Sequence, residues 1–130
     1  MKERATIVCR KGDQILLVTR GRSRWTLPGG TIRRDEAPLH AARREMHEET
    51  LIVAESLTYL FAFGGLSKRH YVFAFDLPDD AIPQPANEIV RCCWVQPASI
   101  ATLTTSVPTR EIVTHLCVPA AKHPQVSPDR

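Results

Sequence analysis

The sequence predicts an α/β domain, and three observations carry that expectation. Runs rich in β-formers flank a long segment of helical period, and a second helical pattern follows the last of those runs. The 130 residues suit one domain near the commonest size and leave too few for a second. The composition, 43% hydrophobic and 24% charged, is that of an ordinary globular chain able to bury its own core.

Residues 5–10 (ATIVCR) and 14–19 (QILLVT) are β-rich and flank Lys11-Gly12-Asp13, a hairpin signature with Gly12 in the turn. A basic loop, RGRSR, follows at 20–24, and then a short run, Trp25-Thr26-Leu27, broken by Pro28-Gly29-Gly30, which marks a tight bend or a close backbone approach. A helix is expected over about 36–50, with Asp35 as N-cap, Glu36 in the first turn and Pro38 early enough to do little harm. On its wheel Leu39, Ala42 and Met46 form a core stripe, while Glu45, Glu48 and Glu49 fall on another face. Strands are expected over 57–63 and 70–77, joined by Gly64-Gly65, the second alternating less cleanly; 78–85 is a proline- and acid-rich loop, and 88–96 a further strand ended by Pro97. A helical turn over 99–103 and a helix over 109–118, with Ile112, Val113 and Leu116 at helical spacing, close the expected domain, 1–118. Residues 119–130 read as a flexible tail.

The net charge of +3 is too small to argue a nucleic-acid binder, but it favours an anionic ligand if the positive residues cluster. Cys9, Cys92, Cys93 and Cys117 form no CxxC pair and read as free thiols of a reducing compartment. The N-terminal residues lack the apolar core of a signal peptide, and no apolar run approaches the ~20 residues of a membrane span. A cytoplasmic location without membrane partners is the expectation.

The stretch 44–50, REMHEET, raises the question of function. Exposed anions near the negative end of a helix dipole each cost roughly 0.3–1 kcal/mol, yet Glu45, Glu48 and Glu49 crowd there at i, i+3 and i+4. Without a cation they repel. An all-oxygen carboxylate set suits Mg²⁺, with Mn²⁺ as a substitute, and such an ion can neutralise a diphosphate and activate water for attack on phosphorus. Arg20, Arg22 and Arg24 could hold remaining phosphate charge; a plain solvated loop explains them equally well.

From Gly30 the chain reads GTIRRDEAPLHAARREMHEETLI: Gly30, five residues, Glu36, seven residues, Arg44-Glu45, Met46, His47, Glu48-Glu49, Thr50, Leu51, Ile52. This resembles the signature of the Nudix hydrolases, which cleave nucleoside diphosphates linked to another moiety. One specified position departs: Leu51 stands where the family has Gly. A Leu there costs roughly 1 kcal/mol if the left-handed geometry of that Gly is kept. The resemblance implies an α/β/α sandwich with a mixed β-sheet flanked by helices, and Mg²⁺-dependent hydrolysis of a phosphoanhydride bond. It further implies Glu48 and Glu49 as principal metal ligands, with the Gly30 carbonyl adding one. Glu45 is a ligand or the general base, Arg44 orients a box carboxylate, and Glu36 supports from behind. Some members recruit a base from a later loop, and Glu88 is the candidate here.

Several residues carry plainer readings. Trp25 is expected in the core, His70 as a strand residue with a local hydrogen bond, and Glu88 is equally well a charge at the start of a strand. HEETL lacks the second His of HExxH, which argues against a zinc protease. A rival function is a catalytically silent Nudix-like nucleotide-binding or regulatory module, for which Leu51 would be a first sign of drift. An RNA- or DNA-binding domain is disfavoured by the modest charge and the lack of aromatic-basic interleaving. Chains similar in length treat oxidised nucleoside triphosphates, dinucleoside polyphosphates, nucleotide sugars, diphosphoinositol phosphates and RNA 5′ ends; the resemblance leaves the choice, and a homodimer, open.

Overall fold

A computed structural model of the chain describes residues 1–21, 24–65 and 67–116. The elements are β1 (Lys2–Lys11), β2 (Gln14–Thr19), β3 (Gly29–Thr31), α1 (Pro38–Thr50), β4 (Thr58–Gly64), β5 (Lys68–Asp76), β6 (Arg91–Val95), a 3₁₀ helix (Pro97–Thr102) and α2 (Val107–Leu116). Gly12 turns the β1–β2 hairpin at φ 61°, as expected. The sheet order is β4-β5-β1-β2-β6, and β1–β5 is a parallel pair in an otherwise antiparallel sheet. The β1–β2 ladder holds only at its turn end, at Arg10↔Ile15 and Lys11↔Gln14. Along the other half of β1, β3 takes the place of β2, pairing Arg4, Ala5 and Thr6 with Thr31, Gly30 and Gly29. That splay brings Gly30 beside β1 and next to α1.

Side chains alternate between two cores. Ile7, Cys9, Leu16, Val18 and Phe73 pack with Ala42 and Met46 of α1, while Val8, Ile15, Leu17 and Val72 pack with Ile112 and Val113 of α2. Because helices cover both faces, β1, β2 and β5 are buried along continuous stretches, which is why alternation in the sequence of β5 is indistinct. The result is the α/β/α sandwich.

Several boundaries differ from the sequence reading. Helix α1 begins at Pro38, with Ala37 as an N-cap that makes no side-chain bond. Asp35 does not cap it but turns the chain at φ 65°, and the Glu36 carboxylate is committed to the Arg33 N–H and to Arg44. Leu39 is 37% exposed, so the buried stripe is carried by Ala41, Ala42 and Met46. Strand β6 starts at Arg91, after a turn in which Asn87 has φ 56°. Helix α2 starts two residues early because Ser106 caps it, its Oγ accepting the Thr109 N–H at 3.3 Å. Trp25 is half-buried against the α2-side core, with the Arg91 guanidinium 5.4 Å from its ring centroid. Cys9, Cys92 and Cys93 are free thiols. Arg22, Cys117 and the expected tail lie outside the described residues.

Candidate active site

Helix α1 ends beside the β3 splay, and its last turns present Glu45, Glu48 and Glu49 to a cavity of about 560 Å³. Gly30 and Thr31 line the same cavity from β3, Arg4 from β1, Arg20 from just beyond β2, and Asn87 and Glu88 from the loop before β6. At Gly30 the close approach is severe: a Cβ there would run into the Glu45 carboxylate.

Arg44 organises the wall. Its Nε donates to Glu36 Oε2 at 2.7 Å and its Nη2 to Glu36 Oε1 at 2.8 Å, a bidentate clamp. Nη1 donates to Glu45 Oε2 at 2.9 Å and to Glu48 Oε2 at 3.5 Å, and Nη2 also reaches the Thr31 carbonyl. The clamp holds the Glu36 carboxyl down at about 2, against an opposing effect of desolvation and with the Arg33 N–H adding to the lowering.

Glu49 corrects the wheel reading. It lies only about 20° from Ala42 at 100° per residue, and it is 5% exposed, at the margin of the core rather than away from it. Burial pushes its carboxyl up to about 7, opposed by the Gly29 N–H at 3.2 Å on Oε1 and by Arg20, whose Nη2 is 3.6 Å from Oε2. Arg20 Nε also donates to Glu88 Oε1 at 3.1 Å, and Glu88 itself is 80% exposed at the cavity mouth. Arg24 does not line this cavity but a smaller one beside it.

The loop before β6 answers the puzzle of the crowded helix end. The last carbonyls of α1 receive donors from it: Asn87 Nδ2 on Glu48 O at 2.6 Å, the Ala86 N–H on Glu49 O at 3.2 Å and the Gln84 N–H on Thr50 O at 2.9 Å. Leu51 keeps the left-handed conformation that Gly would favour, at φ 64°, and its N–H reaches His47 O.

In chemistry the donor set fits a hard divalent cation, since every candidate ligand atom is an oxygen and the nearest cysteines are not part of the cavity. In geometry the carboxylates line one wall without forming a cage; among the described residues no group of His, Cys, Asp or Glu side chains is gathered as a ready metal site. Guanidinium groups instead face each of them. Arg4, Arg33, Thr31 and Asn87 were not singled out from the sequence. Arg4 reaches the site through the β1–β3 pairing, Arg33 approaches Glu48 Oε2 at 3.9 Å, and neither has a local sequence signal.

The sequence profile of the NUDIX domain matches residues 1–116. The chain belongs to the Nudix family. Nudix domains generally use divalent metals and act on nucleotide or diphosphate small molecules. The chain is 31% identical over 81 residues to diphosphoinositol polyphosphate phosphohydrolase 2 of Rattus norvegicus, covering 58% of this chain and 45% of that protein. It is 39% identical over 59 residues to the RNA pyrophosphohydrolase of Bartonella henselae, covering 45% of this chain and 30% of that one. It thus spans less than half the length of either. A crystal structure assigned to the nudix hydrolase family, from Chromobacterium violaceum, superposes with a TM-score of 0.82 at 27% identity, over 98% of this chain and 82% of that one. The mixed sheet with flanking helices is therefore the Nudix fold. No helix among the described residues is long and apolar enough to cross a membrane.

Proposed function

We propose that this Nudix chain is a hydrolase that cleaves a phosphoanhydride bond in a nucleoside diphosphate linked to another moiety, with Mg²⁺ as its ion and Mn²⁺ as a substitute. The reading is carried by one observation: Glu45, Glu48, Glu49 and Gly30 line a single cavity that Arg4 and Arg20 also enter. Carboxylates can hold a cation there while guanidinium groups hold the anionic substrate. The names of the two curated relatives, both hydrolases of phosphorylated substrates, support the same class.

In this reading Glu48, Glu49 and the Gly30 carbonyl hold the ion, and Glu45 is a further ligand or the base. A divalent ion held there would neutralise diphosphate charge and make a bound water more acidic, so that a carboxylate base could take its proton. Arg44 keeps Glu45 and Glu48 in place, and Glu36 keeps Arg44 in place, so neither carboxylate swings away during turnover. Glu88, exposed and tethered to Arg20, is the candidate base on the solvent side of the cavity. Arg20 and Arg4 bind substrate phosphate, with Arg24 in the adjoining cavity. A cytoplasmic setting and a small-molecule substrate complete the reading.

The test is release of inorganic phosphate or nucleoside monophosphate from a panel of nucleoside diphosphate derivatives, diphosphoinositol phosphates and triphosphorylated RNA ends, with Mg²⁺ and with Mn²⁺. Turnover of at least one, abolished by chelator, is expected. A folded protein that turns over none contradicts the reading.

A further inference from the structure

Beside the carboxylate cavity lies a second one of about 280 Å³, and the two share Arg4 and Arg20. Arg4 and Thr6 stand two apart on β1, so on one face of the sheet, and His70 of β5 is the register partner of Arg4. The start of α2 closes the opposite side, where Ser106 caps the helix.

The charge of this second cavity is one-sided. Arg4, Arg20, Arg24 and Lys68 line it, and no Asp or Glu among the described residues does. Arg20 is already engaged by Glu49 and Glu88, whereas no described carboxylate pairs with Arg24 or Lys68. A residue of its lining, His70, also carries an unpartnered polar atom, and His70 and Lys68 line a neighbouring cavity of about 440 Å³ as well. His70 is 5% exposed, and its Nδ1 lies 2.9 Å from Thr6 Oγ1, but its Nε2 is buried with no hydrogen-bond partner. A buried polar atom left unpaired costs about 1–3 kcal/mol, so a ligand that hydrogen-bonds it recovers that cost. Burial, with Arg4 and Lys68 nearby, pushes the ring pKa down to about 4, so the imidazole is neutral near pH 7.

We propose that this cavity is a second substrate subsite, taking a separate phosphate group on the moiety beyond the scissile diphosphate, with Arg24 and Lys68 supplying charge and His70 Nε2 a hydrogen bond. Arg24 and Lys68, which no described carboxylate pairs, standing beside Arg4 and Arg20 in a lining without Asp or Glu, suit a dianion better than a neutral base or sugar. Arg4 and Arg20, common to both cavities, then sit between the two anionic groups of one substrate. The inference rests on the diphosphate occupying the carboxylate cavity.

Calorimetry without metal separates this inference from the hydrolase reading. Adenosine 3′,5′-bisphosphate should bind at least about tenfold more tightly than AMP. The Arg24→Gln/Lys68→Gln variant should bring that ratio close to one, and His70→Phe, which keeps an aromatic ring without the nitrogens, should lower it. Equal affinities in the wild type, or a ratio untouched by the Arg24/Lys68 pair, overturns the subsite. The two surface substitutions decide the matter even if the ring replacement impairs folding. Turnover of a diphosphate without such discrimination overturns the subsite alone; discrimination with no turnover of any diphosphate overturns the hydrolase reading alone.

Discussion

Arg44 is the residue on which the carboxylate wall depends, and Glu36 is the residue on which Arg44 depends. Both were legible in the sequence because the resemblance fixes their spacing. Their partnership has a pH signature. The Glu36 carboxyl is held at about 2 against an ordinary 4.5, mainly by the Arg44 guanidinium. A carboxyl with its folded value below its unfolded value stabilises the fold fully above the unfolded value, and that stabilisation is lost as pH falls toward the folded one. Chemical denaturation of Glu36→Gln from pH 5 to pH 2 should therefore lose less stability on acidification than wild type; parallel profiles would remove the clamp from the account. At neutral pH the same variant should lose roughly 10–100-fold in kcat/KM with KM little changed, the usual cost of removing a group that orients a ligand-bearing side chain. Arg4 was not legible, because it reaches the site through pairing between β1 and β3, whose partnered residues lie more than twenty positions apart in the chain. Glu49 was placed on the wrong side of its own wheel, although its angle beside Ala42 already pointed to the core.

At the scale of elements, the local signals located α1, the β1–β2 hairpin and the β4–β5 pair, and missed where α1 begins and ends its hydrogen bonding. The start was misread because Asp35 is a good cap by type but sits at φ 65°, with its neighbour Glu36 engaged by Arg44. The end could not be read locally, since the donors to Glu48, Glu49 and Thr50 carbonyls come from Gln84, Ala86 and Asn87 in a distant loop. Leu51 is the exception that a local argument reaches. It is 51% exposed and left-handed, so replacing it by Gly relieves backbone strain without opening a cavity. Leu51→Gly should gain about 1 kcal/mol, or about 3–5 °C in Tm. An unchanged or lower Tm would mean that side-chain contacts, not backbone conformation, hold Leu51 there.

For the whole molecule, the α/β class was legible from the order of elements, while the α/β/α layering was legible only through the resemblance, which the fold bears out. Continuous apolar runs such as 5–9 and 15–18 fit either a strand or a buried helix segment, and only helices on both faces explain them. The parallel β1–β5 pair, from Lys2↔Lys68 to Arg10↔Asp76, joins residues that no short-range pattern connects. Around that sheet, the carboxylate cluster proposed to bind metal at the end of α1 would couple ligand binding to global stability. An ion that binds only the native state stabilises it by mass action, about 2.7 kcal/mol at a concentration 100 times its Kd. Mg²⁺ should therefore raise the Tm of the wild type, and the rise should shrink in Glu48→Gln; a Tm indifferent to Mg²⁺ in the wild type would contradict cation binding by the cluster.

The central claim is that the three glutamates of α1 are chemical rather than merely solvated. Its most direct test is the initial rate of phosphoanhydride hydrolysis with saturating Mg²⁺, wild type against Glu48→Gln, on whichever substrate of the panel turns over fastest. A loss of about a hundredfold or more is expected, with the variant still folded in the absence of metal. A variant that hydrolyses at the wild-type rate would contradict the account.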